Sequence, residues 1–153
     1  MTQVDFYIID GADAADRAQF ACRLAERACD AGQRVYLHTA DAAQTRWLDE
    51  LLWTFRADSF VAHAAASDGG GNGDAATPLL LGHDAEPAAD REVLINLASE
   101  VPAFFSRFPR LLEIIADVPS LRAAGRARYA YYKERGYPLR HHHMESQPNP
   151  DRK

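Results

Sequence analysis

The sequence predicts an α/β fold: one domain built on a mixed, mostly parallel sheet with helices on both faces. Three observations predict it. Short apolar runs rich in β-formers alternate with long Ala-, Leu- and Glu-rich segments through the first half of the chain. The first strand-helix-strand pattern spans roughly 35 residues, enough for a parallel pair with a right-handed crossover. A chain of 153 residues with 47% hydrophobic and 25% charged side chains suits a single core of ordinary size.

Residues 4–10 (VDFYIID) form a short apolar run that ends at Gly11 and read as a buried strand. Residues 12–32 are Ala-rich, carry acidic groups in the first turn and stop at Gly32; Phe20, Leu24 and Ala28 give the inward stripe of a helix. Residues 33–39 (QRVYLHT) are the second strand. The next helix covers 41–55 with Asp41 as its N-cap. Leu48, Leu51, Leu52 and Phe55 share one side of it, and Trp53 falls well off that side.

Residues 59–64 (SFVAHA) are a third, short strand, and 67–78 (SDGGGNGDAATP) a long surface loop. LLLGHD and residues 92–98 (EVLINLA) are two more strands, joined by a turn or hairpin loop around Pro87. Residues 100–118 read as helical, with Pro102 in the tolerated first turn and Pro109 ending or kinking the helix. The last helix runs from Pro119 to its stop at Gly136. The C-terminal residues beyond it are polar and frayed in character, so the expected domain is 1–140 and residues 141–153 a disordered tail.

Several chemistries are excluded by spacing. The Gly-rich loop is no G-x-x-x-x-G-K-[ST], and the turn after the first strand lacks G-x-G-x-x-G, so no phosphate cradle is expected. There is no G-x-S-x-G elbow, and Asp49 and Glu50 are adjacent and face different directions. His38, His63 and His83 each fall in or just after a strand and read as locally satisfied polar residues; His141, His142 and His143 form a run in the tail. Cys22 and Cys29 lie seven apart on one helix. That is about 10 Å, too far for a disulfide, and they read as reduced thiols of a cytosolic protein. No catalytic site, cofactor or metal is expected. No apolar run reaches the length of a membrane span, and the opening MTQVDFYIID carries no basic leader. A net charge of -5 argues against general nucleic-acid affinity and leaves any anion site local.

Such a site stands out at residues 125–140 (GRARYAYYKERGYPLR), which hold five cations, one acid and four tyrosines. Arg122, Arg126, Tyr129 and Lys133 are spaced 4, 3 and 4 and line one helix face, while Tyr131 or Tyr132 anchors the helix. Arginine can fork onto a carboxylate and tyrosine can flank an aromatic group, so a short acidic peptide with a terminal carboxylate suits the stripe. A solvated amphipathic face and a direct single-stranded nucleic-acid site remain alternatives, as does a nucleotide-dependent enzyme.

In order, the stretches VDFYIID, FACRLAERACDAGQRVYLHTAD, LDELLWTFRADSFVAHA, EVLINLASEVPAFFSRF and RARYAYYKERGYPL resemble the chi subunit of bacterial DNA polymerase III holoenzyme over roughly residues 1–140. The resemblance implies a Rossmann-like, non-catalytic adaptor of the cytoplasmic replisome. It pairs with the psi subunit of the clamp-loader complex and grips the acidic C-terminal tail of single-stranded-DNA-binding protein, which ends in an aromatic residue. By motif, the tail pocket falls on Trp53, Arg126 and Tyr129, with Arg122 and Lys133 on the same face. The psi interface falls on Phe60, Val61 and His63. Where a family lysine can follow the tyrosine of the RY pair, this chain has Ala130, and where proline is common before the histidine it has Ala62.

Overall fold

The computed structural model describes residues 1–54, 63–65, 78–83, 87 and 91–145. Among these, seven strands form one sheet: β1 (Gln3–Asp10), β2 (Val35–His38), β3 (His63–Ala65), β4 (Leu79–Gly82), β5 (Val93–Asn96), β6 (Arg110–Ala116) and β7 (Leu139–Glu145). Their spatial order is β3-β4-β2-β5-β6-β1-β7. All described pairs are parallel, where the sequence had allowed a mixed sheet. Helices α1 (Ala14–Asp30), α2 (Ala42–Thr54) and α3 (Pro119–Glu134) cover it.

The faces divide by residue parity along each strand. Val35, Leu37, Ile95 and Ile114 point to the side covered by Ala21 and Leu24 of α1 and by Leu48 and Leu52 of α2. Phe6, Tyr36, Leu94 and Leu111 point to the side covered by Tyr132 of α3 and by Phe105 and Phe108 from the turn before β6. Arg17 of α1 is buried and donates Nε to the Ile114 carbonyl (2.8 Å) and Nη1 to that of Leu97 (3.1 Å), and desolvation brings its pKa down to about 10. Asp41 caps α2 by accepting from the Gln44 amide at 2.8 Å, as its place in the sequence suggests.

Three expectations are corrected. Residues 100–118 are not a helix: a 3-10 turn, Phe105–Arg107, leads to β6 in the middle of the sheet. A parallel strand buried on both faces is a continuous apolar run without alternation, so periodicity alone does not separate it from a buried helix. Pro109 separates turn from strand, and its carbonyl accepts the Gln3 amide at 3.0 Å. β4 and β5 form no hairpin, because both lie parallel to β2, one on either side of it. Residues 139–145 are not a frayed tail but edge strand β7, in register with β1 from Val4↔Leu139 to Asp10↔Glu145. Residues 146–153, the glycine-rich loop 67–77 and the candidate residues Phe60 and Val61 lie outside the described residues.

The orientation of α3 is set by one carboxylate. Glu113 on β6 is fully buried, and its Oε1 accepts Arg128 Nε at 2.9 Å. Its Oε2 accepts the Tyr132 hydroxyl at 2.6 Å and Asn96 Nδ2 at 3.0 Å. Arg128 Nη1 reaches the Ser99 carbonyl at 3.0 Å and Asn96 Nδ2 that of Glu100 at 3.2 Å. Desolvation and the neighbouring Glu113 charge raise the Tyr132 phenol well above its usual range, so it remains a donor. One turn away, Gly125 lets the helix close on β6: a Cβ there would stand 2.6 Å from Ile115 Cδ1. Glu113→Ala or Arg128→Ala leaves a buried charge without its partner and should cost about 3–5 kcal/mol in denaturant unfolding, whereas the double variant E113L/R128M should cost less than either single change.

Candidate functional site

With Gly125, Arg128 and Tyr132 turned inward, the helical period turns Arg122, Arg126 and Lys133 to solvent and leaves Tyr129 half-buried at the boundary. The four residues expected to share a face therefore do so. Tyr129 stands edge-on to Phe6 of β1, with ring centroids 5.3 Å apart, and against His141 of β7 at 5.0 Å. Lys133 Nζ lies 6.0 Å from the centre of the Tyr129 ring, a weak cation-π contact. Arg122 is paired with Asp117 at 2.5 Å. Arg126 is exposed and makes no side-chain hydrogen bond or ion pair with any described residue, so its five donors face solvent. Arg135 stacks on Tyr131 at 3.5 Å and stands apart from this group.

Trp53 is 57% exposed, as expected of a residue off the buried side of its helix, but α2 covers the opposite face of the sheet from α3. The helices thus bring Arg122, Arg126, Tyr129 and Lys133 together and carry Trp53 elsewhere. His63 opens β3, the far edge strand, paired with Leu79.

The three strand-end histidines do not converge. His38 is level with Gly82, at the other end of β4 from Leu79 and His63, and its ring packs on Phe104 at 5.3 Å. His83 Nδ1 lies 3.1 Å from the Thr45 hydroxyl. The histidine run of β7 is split by the strand's alternation. His141 faces Tyr129, while His142 stacks on Tyr7 at 4.7 Å and lies 3.4 Å from Asp5, which Arg110 also holds at 3.1 Å. Both thiols are held protonated by burial, Cys22 pushed up to about 12 and Cys29 up to about 11.

A cavity of about 410 Å³ opens at the carboxyl ends of β2 and β5, lined by His38, Thr39, Ser99, Glu100 and Phe104 among others. Open α/β sheets bind ligands at such a switch point. Here, however, the helix starts that would receive a phosphate carry their own carboxylates. Asp13 accepts the Asp16 amide at 2.9 Å while Asp16 accepts that of Asp13 at 3.1 Å, and these bonds hold the Asp13 carboxyl below its ordinary range. At α2, Asp41 accepts the Gln44 amide. These carboxylates occupy amides that a nucleotide enzyme would leave for a phosphate.

The sequence reading missed the role of Arg128, counted there only as one cation among five. Its signal was the 3, 4 spacing of Gly125, Arg128 and Tyr132, which puts it on the buried face. His141 meets Tyr129 only through edge strand β7, which the polar composition of residues 141–145 does not signal.

Among solved structures, that of T4 UvsW superposes with a TM-score of 0.68 over 95% of this chain and 42% of that one, at 7% identity, a likeness of fold alone. DNA polymerase III subunit chi of Pseudomonas aeruginosa is 44% identical over 94% of this chain and 98% of its own length. That of Escherichia coli is 29% identical over 91% and 96%. The family model of the DNA polymerase III chi subunit, HolC, matches residues 1–140. The chain belongs to the DNA polymerase III chi subunit family, an accessory subunit of the replication machinery.

Proposed function

We propose that the chain is a non-catalytic adaptor of the cytoplasmic replisome. It links the polymerase III clamp-loader complex, through the psi subunit, to the acidic C-terminal tail of single-stranded-DNA-binding protein. The observation that carries this reading is Arg126: an exposed guanidinium without an intramolecular partner among the described residues, beside Lys133 and Tyr129, on a domain whose net charge is -5. A guanidinium in that setting takes a carboxylate in a bidentate fork. The half-buried Tyr129 ring gives the terminal aromatic residue of the tail an apolar wall. Arg122 serves at the far end of the stripe, where the tail must compete with Asp117 for it. The acidic remainder of the surface disfavours nucleic acid, so DNA is reached through the tail-bearing partner. Among the described residues no helix is long and apolar enough to cross a membrane.

Psi is assigned to the β3 edge at His63 and to Phe60 and Val61, which precede it in the sequence. An edge strand has one side without a strand partner, with which a partner chain can pair, and β3 is the edge of the described sheet farthest from β7. Trp53, on α2 beside that edge, retains its assignment to the tail site by motif, and its place on the other face makes it the residue whose substitution is most informative.

Arg126→Ala should weaken binding of an aspartate-rich peptide ending in phenylalanine by about tenfold or more in calorimetry, with added salt acting in the same direction. Unchanged affinity in R126A refutes the α3 pocket, and unchanged affinity in Trp53→Ala removes Trp53 from it. Phe60→Ala should lose psi in co-purification while keeping the peptide; the reverse outcome exchanges the two surfaces.

A further inference from the structure

We propose that the anionic-peptide site on α3 extends onto edge strand β7 through His141 and His143, which makes peptide binding proton-linked. This rests on the adaptor reading above and adds to it a second element and a dependence on pH.

The placement follows from register. His141 is level with Phe6, and both rings meet Tyr129: Phe6 at 5.3 Å, His141 at 5.0 Å. Gly125 closes on Ile115, Ile115 is level with Ile8, and Ile8 with His143. Moving from Tyr129 toward Arg126 along α3 therefore moves from His141 toward His143 along β7. One helical turn, about 5.4 Å, nearly matches two strand residues, about 6.6 Å. The side chains of His141 and His143 share a face by alternation, and both residues are exposed. The stripe of α3 and the outer strand thus form two parallel rows, Arg126 and Lys133 in one, His141 and His143 in the other, with Tyr129 as the floor between them.

The charges around these imidazoles are few. From α3, Lys133 and Arg126 are cations, and Glu134 is turned away from this side by the helical step. From β1, the facing residues are Phe6, Ile8 and, at the end of the strand, Asp10, which is level with Glu145 of β7, while Asp5 lies on the opposite face with Arg110 and His142. Glu113, beyond β1, is taken by Arg128 and Tyr132. No carboxylate among the described side chains is hydrogen-bonded or ion-paired to His141 or His143, so protonation adds positive charge beside Arg126 and Lys133. Histidine is the side chain whose charge changes between pH 5 and 8. A bound carboxylate favours the imidazolium, so binding takes up protons and tightens as pH falls.

Fluorescence anisotropy of a labelled aspartate-rich peptide ending in phenylalanine with a free carboxylate, at constant ionic strength, tests this. The intact chain should bind about three- to tenfold more tightly at about pH 6 than at about pH 8. His141→Gln combined with His143→Gln should keep the affinity seen at about pH 8 and lose most of the tightening, while His142→Gln, on the other face, should keep it. Tightening that persists in the double variant, or vanishes only in H142Q, overturns this inference and leaves the adaptor reading intact. Absence of binding by the intact chain at either pH overturns both.

Discussion

A single carboxylate buried between sheet and helix organises the face of the molecule that matters. Glu113 stands in the middle of β6, and everything that fixes α3 converges on it: a guanidinium from one helical turn, a phenol from the next and an amide from the neighbouring strand. A buried charge costs several kcal/mol to desolvate, and its partners offset that cost without leaving a large surplus. Its effect is therefore one of orientation. Only with Arg128 and Tyr132 turned toward Glu113 do Arg122, Arg126 and Lys133 turn to solvent on the same helix. Replacing the pair with apolar side chains would keep a core and lose the specification of which way α3 faces.

The distribution of charge then separates two places where an α/β domain could bind an anion. At the carboxyl edge of the sheet, where nucleotide enzymes of similar architecture work, Asp13 and Asp41 close the helix N-termini with their own carboxylates. On α3 the opposite holds: a guanidinium without an internal partner among the described residues sits beside an ammonium group and a half-buried phenol ring. The domain is acidic as a whole and basic in one row. That contrast favours a short acidic ligand, whose few charges fit the row, over a polyanion that would also meet the rest of the surface.

Much of this was legible in the sequence. The alternation of β1, α1, β2 and α2, the cap at Asp41 and the shared face of Arg122, Arg126, Tyr129 and Lys133 all follow from local spacing. The rest was hidden because it depends on the sheet. β6 is buried on both faces, so its Leu-Leu-Glu-Ile-Ile run lost the alternation that marks a strand, and Glu113 inside it looked like a helix former. β7 is an edge strand of arginine and histidines, stabilised by pairing with β1 rather than by its own apolar pattern. The inward turn of Arg128 required knowing that a carboxylate waited beneath it. Trp53 had the right exposure, but only the topology reveals that α2 and α3 lie on opposite faces.

Amide chemical-shift mapping of the isotope-labelled chain, titrated with the aspartate-rich peptide, bears most directly on the central claim that α3 is the anion-binding face. The account predicts the largest shifts at Arg126, Tyr129 and Lys133 and in the adjoining part of β7, with the residues around His38 and Phe104 unmoved. Shifts concentrated at the carboxyl ends of β2 and β5, with α3 unaffected, would contradict it.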